Sequence, residues 1–158
     1  MTEPQPSSDT TAAFLSEKRN SILEAAEAGL ARTHVPHYES AGSEQVRRRL
    51  GDLLDRLIES LATRDVASMT AHAEHIAEER FRAGYDLSEV QVAFNALEEA
   101  TWTSVLADLQ AAEYAQALGL VSTVLGAGKD ALARRYVSLA AGTRAPSLDL
   151  RALFAGTS

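Results

Sequence analysis

The stretch HAEHIAEERFRAGYDLSEV, His72 to Val90, gathers most of the residue types in this chain that are able to do chemistry. On a helix, His72, His75 and Glu79 stand three and four residues apart, which brings their side chains together on one face. Two imidazoles and a carboxylate so placed can hold zinc or nickel weakly. The supporting patterns are absent. There is no HExxH, and no Glu is followed three residues later by His, so neither a zinc-hydrolase nor a di-iron carboxylate reading is supported. A helical wheel centred on Val66, Met69, Ala73 and Ile76 puts His75 opposite that apolar stripe, with His72 and Glu79 beside it, so this face is expected to meet water. His34 and His37 flank Pro36 and read as turn residues. GAGK at Gly126 to Lys129 lacks the first glycine and the final Ser or Thr of a phosphate loop, and no strand precedes it. With no cysteine and no Gly-x-Ser-x-Gly elbow, no catalytic residue, no metal ligand and no cofactor-binding residue is assigned.

Arg80 is the exception on its helix. The same wheel carries it into the apolar stripe one turn beyond Ile76, where a lone guanidinium is costly and calls for a carboxylate or backbone carbonyls. Glu98 falls within the stripe of Phe94, Leu97 and Thr101 on the next helix and is the partner the sequence offers. The pair reads either as a register-fixing ion pair or as part of a ligand or signalling site. If it leaves a buried carboxylate behind, Arg80→Ala is expected to cost a few kcal/mol. Trp102 stands at the edge of its helix's apolar face, a core or interface position. Gly84 suits the left-handed turn that closes a helix, with Tyr85 anchoring that turn.

These residues ride on helices. Residues 1 to 8 read as a disordered tail, and residues 9 to 141 as one helical sensory or interaction domain. The first helix is expected from Asp9 to about Arg32, with Leu15, Ile22, Ala26 and Leu30 on one stripe. THVPHYESAG then breaks it as a loop or short turn. Ser43 can cap a second helix with Val46, Leu50, Leu53, Leu54, Leu57 and Leu61 inward. Asp65 can cap a third, with Val66, Met69, Ala73, Ile76 and Ala77 inward. Asp86 with Glu89 forms a capping box for a fourth, whose stripe is Leu87, Val90, Phe94, Leu97, Thr101 and Val105. The fifth is expected from about Ala112 to Ala140, interrupted at Gly126 and Gly128, where a bend or close helix contact is the usual reason. Gly142 and Pro146 end it, and residues 142 to 158 form a tail in which LDLRALFAG can make a short helix. The expected class is all-α, a bundle of about five helices.

Composition agrees with one domain: 158 residues, 46% hydrophobic and 23% charged. A net charge of -7 opposes binding to nucleic acid or anionic membrane, and the side chains of Arg47, Arg48 and Arg49 splay around their helix as a solvated surface. The N-terminus lacks the regions of a signal peptide, and no apolar run reaches membrane-spanning length, so a cytoplasmic protein is expected.

The order HIAEERFRAGYDLSEVQVAFNALEEATWTSVL, in which Arg80, Gly84, Leu87, Val90 and Leu97 carry the pattern, resembles the N-terminal sensory domain of RsbR/RsbRD-type stressosome co-antagonists over roughly residues 12 to 140. The resemblance implies a globin-like fold that binds no haem, pairing into homodimers through the long helices, and a regulatory protein partner in stress signalling. The family's usual output module would have to follow Ala140, after which eighteen residues remain, so the chain is either a standalone sensor or a fragment. Two functions are expected on these grounds: a non-enzymatic regulatory module acting through dimerisation and partner association, or a ligand sensor holding haem or a small apolar molecule between helices near Phe94 and Trp102.

Overall fold

The structure is a computed structural model that describes residues 8–144. The tail expected at residues 1 to 8 falls almost wholly outside the described residues, and so does LDLRALFAG. Seven helices follow one another: α1 (Ser8–Glu17), α2 (Arg19–Arg32), α3 (Pro36–Ala41), α4 (Ser43–Thr63), α5 (Ala67–Arg82), α6 (Leu87–Asp108) and α7 (Ala111–Arg144). Among the described residues there is no strand, and the all-α class holds.

The count exceeds five for two local reasons. Lys18 departs from helical geometry at φ -92° and ψ 7°, which separates α1 from α2. The i to i-4 bonds on either side persist, Lys18 N–H to the Phe14 carbonyl at 3.0 Å and Ile22 N–H to the Lys18 carbonyl at 2.9 Å, so this is a bend in one expected rod. The polar segment expected as a loop instead forms α3, because Pro36 sits at the first helical turn, where its missing N–H has no partner to lose.

The inward faces match the periodicity closely. Val46, Leu50, Leu53, Leu54, Leu57 and Leu61 of α4 are all buried, as are Val90, Phe94, Leu97, Thr101 and Val105 of α6. Thr101 is tolerated there because its hydroxyl donates to the Leu97 carbonyl at 2.8 Å. On α5, Met69, Ala73 and Ala77 are buried, Ile76 is half-buried, and Val66 is 37% exposed at the helix start rather than inward. Ser43 makes no capping bond, whereas Asp65 accepts from the Ala67 N–H at 3.0 Å and the Asp86/Glu89 capping box is complete.

The expected interruptions of the last helix are absent. α7 runs unbroken for 34 residues, through Gly126, Gly128 and Gly142. A glycine costs about 1 kcal/mol in a helix, which the flanking turns readily absorb. A Cβ at Gly128 would lie 2.9 Å from Met69 Cγ and 3.1 Å from Phe94 Cε1, so this glycine lets α7 close on α5 and α6. A Cβ at Gly126 would meet nothing within 4 Å, and that position faces outward.

Helix neighbours do not follow chain order. α5 packs chiefly on α7, and α6 chiefly on α2, while α5 and α6 share little surface despite their short connection. No described helix is long and apolar enough to cross a membrane.

Candidate functional site

The site is built where α5 hands over to α6. Tyr85 N–H bonds the Arg80 carbonyl at 3.0 Å and Gly84 N–H bonds the Phe81 carbonyl at 3.1 Å, with Gly84 at φ 86°. This paired closure needs a left-handed residue, which glycine supplies without a Cβ clash. The turn drops Tyr85, 8% exposed, into the molecule. Its ring stacks on His37 at 4.4 Å and meets Tyr38 edge-on at 5.6 Å. Arg49 donates to its hydroxyl at 2.8 Å, that hydroxyl donates to the His37 carbonyl at 3.3 Å, and the Tyr136 hydroxyl donates to its carbonyl at 3.1 Å. Tyr85 thus ties α3, α4 and α7 to the end of α5.

Arg80 lies against this hub. Its guanidinium carbon is 5.8 Å from the centre of the Tyr85 ring, and that of Arg49 is 5.7 Å away, both within cation–π range. The residue is 6% exposed, as the apolar wheel position requires. Its partner is not Glu98. Arg80 Nη1 donates to the Glu79 carboxylate, while Glu98 accepts from Lys129 Nζ at 2.9 Å. The reason is topological: α6 turns its Glu98 face toward α7, so the carboxylate in the apolar stripe of α6 and the guanidinium in that of α5 do not pair.

Glu79 is half-exposed and also stands 3.5 Å from His75 Nε2, so one carboxylate spans His75 and Arg80 at the surface. His75 is exposed as expected. His72 is not: it is half-buried, and desolvation, with a smaller contribution from nearby Arg56, holds its pKa below the ordinary imidazole range. The wheel places a side chain relative to its own helix, and here α4 lies alongside and covers part of the face that was expected to meet water. Among the described residues no group of three or more His, Asp and Glu is positioned to hold a metal ion.

Between α4, α5 and α6 these residues enclose a cleft of about 240 Å³. Its lining mixes apolar side chains, Leu30, Val46, Leu50, Ile76, Val90 and Phe94, with charged and polar ones, Arg48, Arg49, Asp52, His72, Glu79 and Arg80, and includes Tyr38. Burial pushes the Tyr38 phenol up to about 12, so it is a neutral donor at any physiological pH. Trp102 is elsewhere, 38% exposed on the outer side of α6 beside Glu98, Glu99 and Leu106, so the structure does not bring it to Phe94 in a shared pocket.

Of the expected site residues, Arg80 and Gly84 meet here, and Glu98 and Trp102 do not. Arg49, Tyr38, His37 and Tyr136 were missed. A signal for Arg49 was present, since it lies three residues after Val46 and four before Leu53, on the margin of the α4 stripe. His37, a turn residue by its sequence context, pairs its Nδ1 with Glu89 across the molecule.

The family model described as "RsbT co-antagonist protein rsbRD N-terminal domain" matches residues 22–146. The chain belongs to this family. The match begins in α2, spans the Gly84 turn and takes in all of α7, so the RsbRD N-terminal unit includes every element that lines the cleft. No curated protein matches the chain significantly.

Proposed function

We propose that this RsbRD N-terminal domain is a non-enzymatic regulatory module that acts by association, two copies pairing along α7 with α1 at the margin, and the pair engaging a regulatory protein partner in the cytoplasm. The observation that carries the reading is a second stripe on α7. The first, Val121, Leu125, Leu132 and Tyr136, is buried within the chain and is not available to a partner. On the other side Ala115, Gly119, Ser122, Gly126, Ala133, Val137 and Ala140 recur at three- and four-residue steps with one skipped turn. Gly119 and Gly126 are exposed with nothing near their Cβ positions, and Val137 is 66% exposed. A ridge of small side chains lets a second helix approach closely, and repetition over 3.5 residues suits a long parallel or antiparallel seam.

Sedimentation velocity over a dilution series tests this. A dimer that becomes monomeric in Gly126→Glu, with an unchanged helical spectrum, is the expected result. Monomer at every wild-type concentration overturns it. Because the position is open in the single chain, loss of folding cannot mimic loss of pairing.

The cleft favours a second reading, an input domain for a small molecule. At about 240 Å³ it suits a single-ring body rather than a porphyrin. Hemin titration is expected to give no Soret band shift that depends on His72 or His75.

A further inference from the structure

We infer that the cleft between α4, α5 and α6 binds a small monocarboxylate with an apolar body, the carboxylate on the Arg80 and Arg49 side and the body against Val46, Val90 and Phe94. The inference rests on the small-molecule reading of that site and names the class of molecule.

The charge of the cleft is the first ground. Three guanidiniums, Arg48, Arg49 and Arg80, face two carboxylates, Asp52 and Glu79, in a chain whose net charge is -7. The cationic excess is therefore local and runs against the whole molecule. The second ground is how little of that cationic capacity the protein consumes. Arg80, though 6% exposed, spends one N–H on Glu79, and the rest of its five-donor fork has no acceptor among the described residues. Arg49 donates to a phenol, not to a carboxylate. No Arg80 nitrogen is both sealed from solvent and unpartnered, so its remaining donors stay accessible, and a planar carboxylate, which accepts two parallel N–H bonds, matches them. Tyr38, neutral, also lines the cleft.

The apolar lining sets the rest of the ligand. Apolar lining combined with convergent polar groups is the usual composition of a small-molecule site, and about 240 Å³ lies just below the usual range of about 300–1,000 Å³. One ring or a short alkyl chain fits. Inorganic phosphate would leave the apolar lining uncovered, and a neutral ring would offer the Arg80 guanidinium no charge-assisted partner.

Benzoate is the probe, with benzyl alcohol as its uncharged counterpart and inorganic phosphate as an anion without an apolar body. Calorimetric titration of the full chain is expected to show benzoate binding about tenfold or more tighter than either control, the factor expected for a charge-assisted pair. Arg80→Gln is expected to remove that preference, and Ala93→Phe, which projects a ring into the cleft, to abolish binding of both aromatic probes. Circular dichroism checks that both variants fold. Equal binding of benzoate and benzyl alcohol, lost in Ala93→Phe, overturns the carboxylate class while leaving the site in place. Binding that survives both substitutions overturns the location, and no binding of any probe at millimolar concentration overturns site and class together. Should Arg80→Gln fail to fold, the Ala93→Phe arm and the benzyl alcohol comparison decide alone.

Discussion

The two ends of α5 are packed by opposite physics. Near its start, Met69 is fully buried and so close to Gly128 that a single added carbon on α7 would collide with it. Near its end, Arg80 is almost as deeply placed but sits among two tyrosines, a second arginine and a cleft. One end is fixed by shape, with nothing to exchange. The other is fixed by a few directed contacts beside open space, so the first supports the fold and the second is where binding is proposed.

Substitutions can break or sharpen that contrast. Met69→Ala removes buried volume from the dry end and is expected to cost about 2–5 kcal/mol in urea unfolding. Next, Gly128→Leu should cost about 1–3 kcal/mol by overpacking, whereas Gly126→Leu, open within the single chain, should be neutral or stabilise by up to about 1 kcal/mol through helix propensity when measured at dilutions where the chain is monomeric. Similar effects at the two glycines would show that the dry end is looser than described. Tyr136→Phe strands the Tyr85 carbonyl and should cost about 1 kcal/mol.

Arg80→Met is expected to be smaller still, within about 1 kcal/mol. Its carboxylate partner is half-exposed, so no buried charge is orphaned and the larger penalty of a broken internal pair does not arise. A loss of several kcal/mol in thermal melts would make the polar end as much a part of the core as the dry one. The smallest effect is a pH slope. His72 is held below the ordinary imidazole range in the folded state, so the unfolded chain takes up its proton first. Stability is therefore full above the unfolded pKa and declines as pH falls through about 6.5. His72→Gln should flatten that part of the melting-temperature profile.

The difference between the ends also explains what the sequence makes legible. Periodicity located the buried faces of α4 and α6 and the inward guanidinium of Arg80, because those depend on one helix at a time. The capping box and the Gly84 turn were readable for the same reason: they are local chemistry within a few residues. What failed was the inference that helices consecutive in the chain face one another. Arg80 was matched to Glu98 because their helices are consecutive, yet α5 lies on α7 and Glu98 meets Lys129. His72 was assigned to water because a wheel has no neighbours, and α4 covers it. Gly126 and Gly128 carry identical sequence signals and have opposite surroundings. The cleft is the product of five segments and has no linear signature.

The hydroxyl of Tyr136 grips the carbonyl of Tyr85, and Tyr136 belongs to the same uninterrupted helix as Gly119 and Gly126. A displacement of the α5–α6 junction is therefore passed as leverage along one stiff rod, roughly 50 Å from end to end. Under the pairing proposed for α7, that rod is the one element that touches both the α5–α6 junction and the second copy.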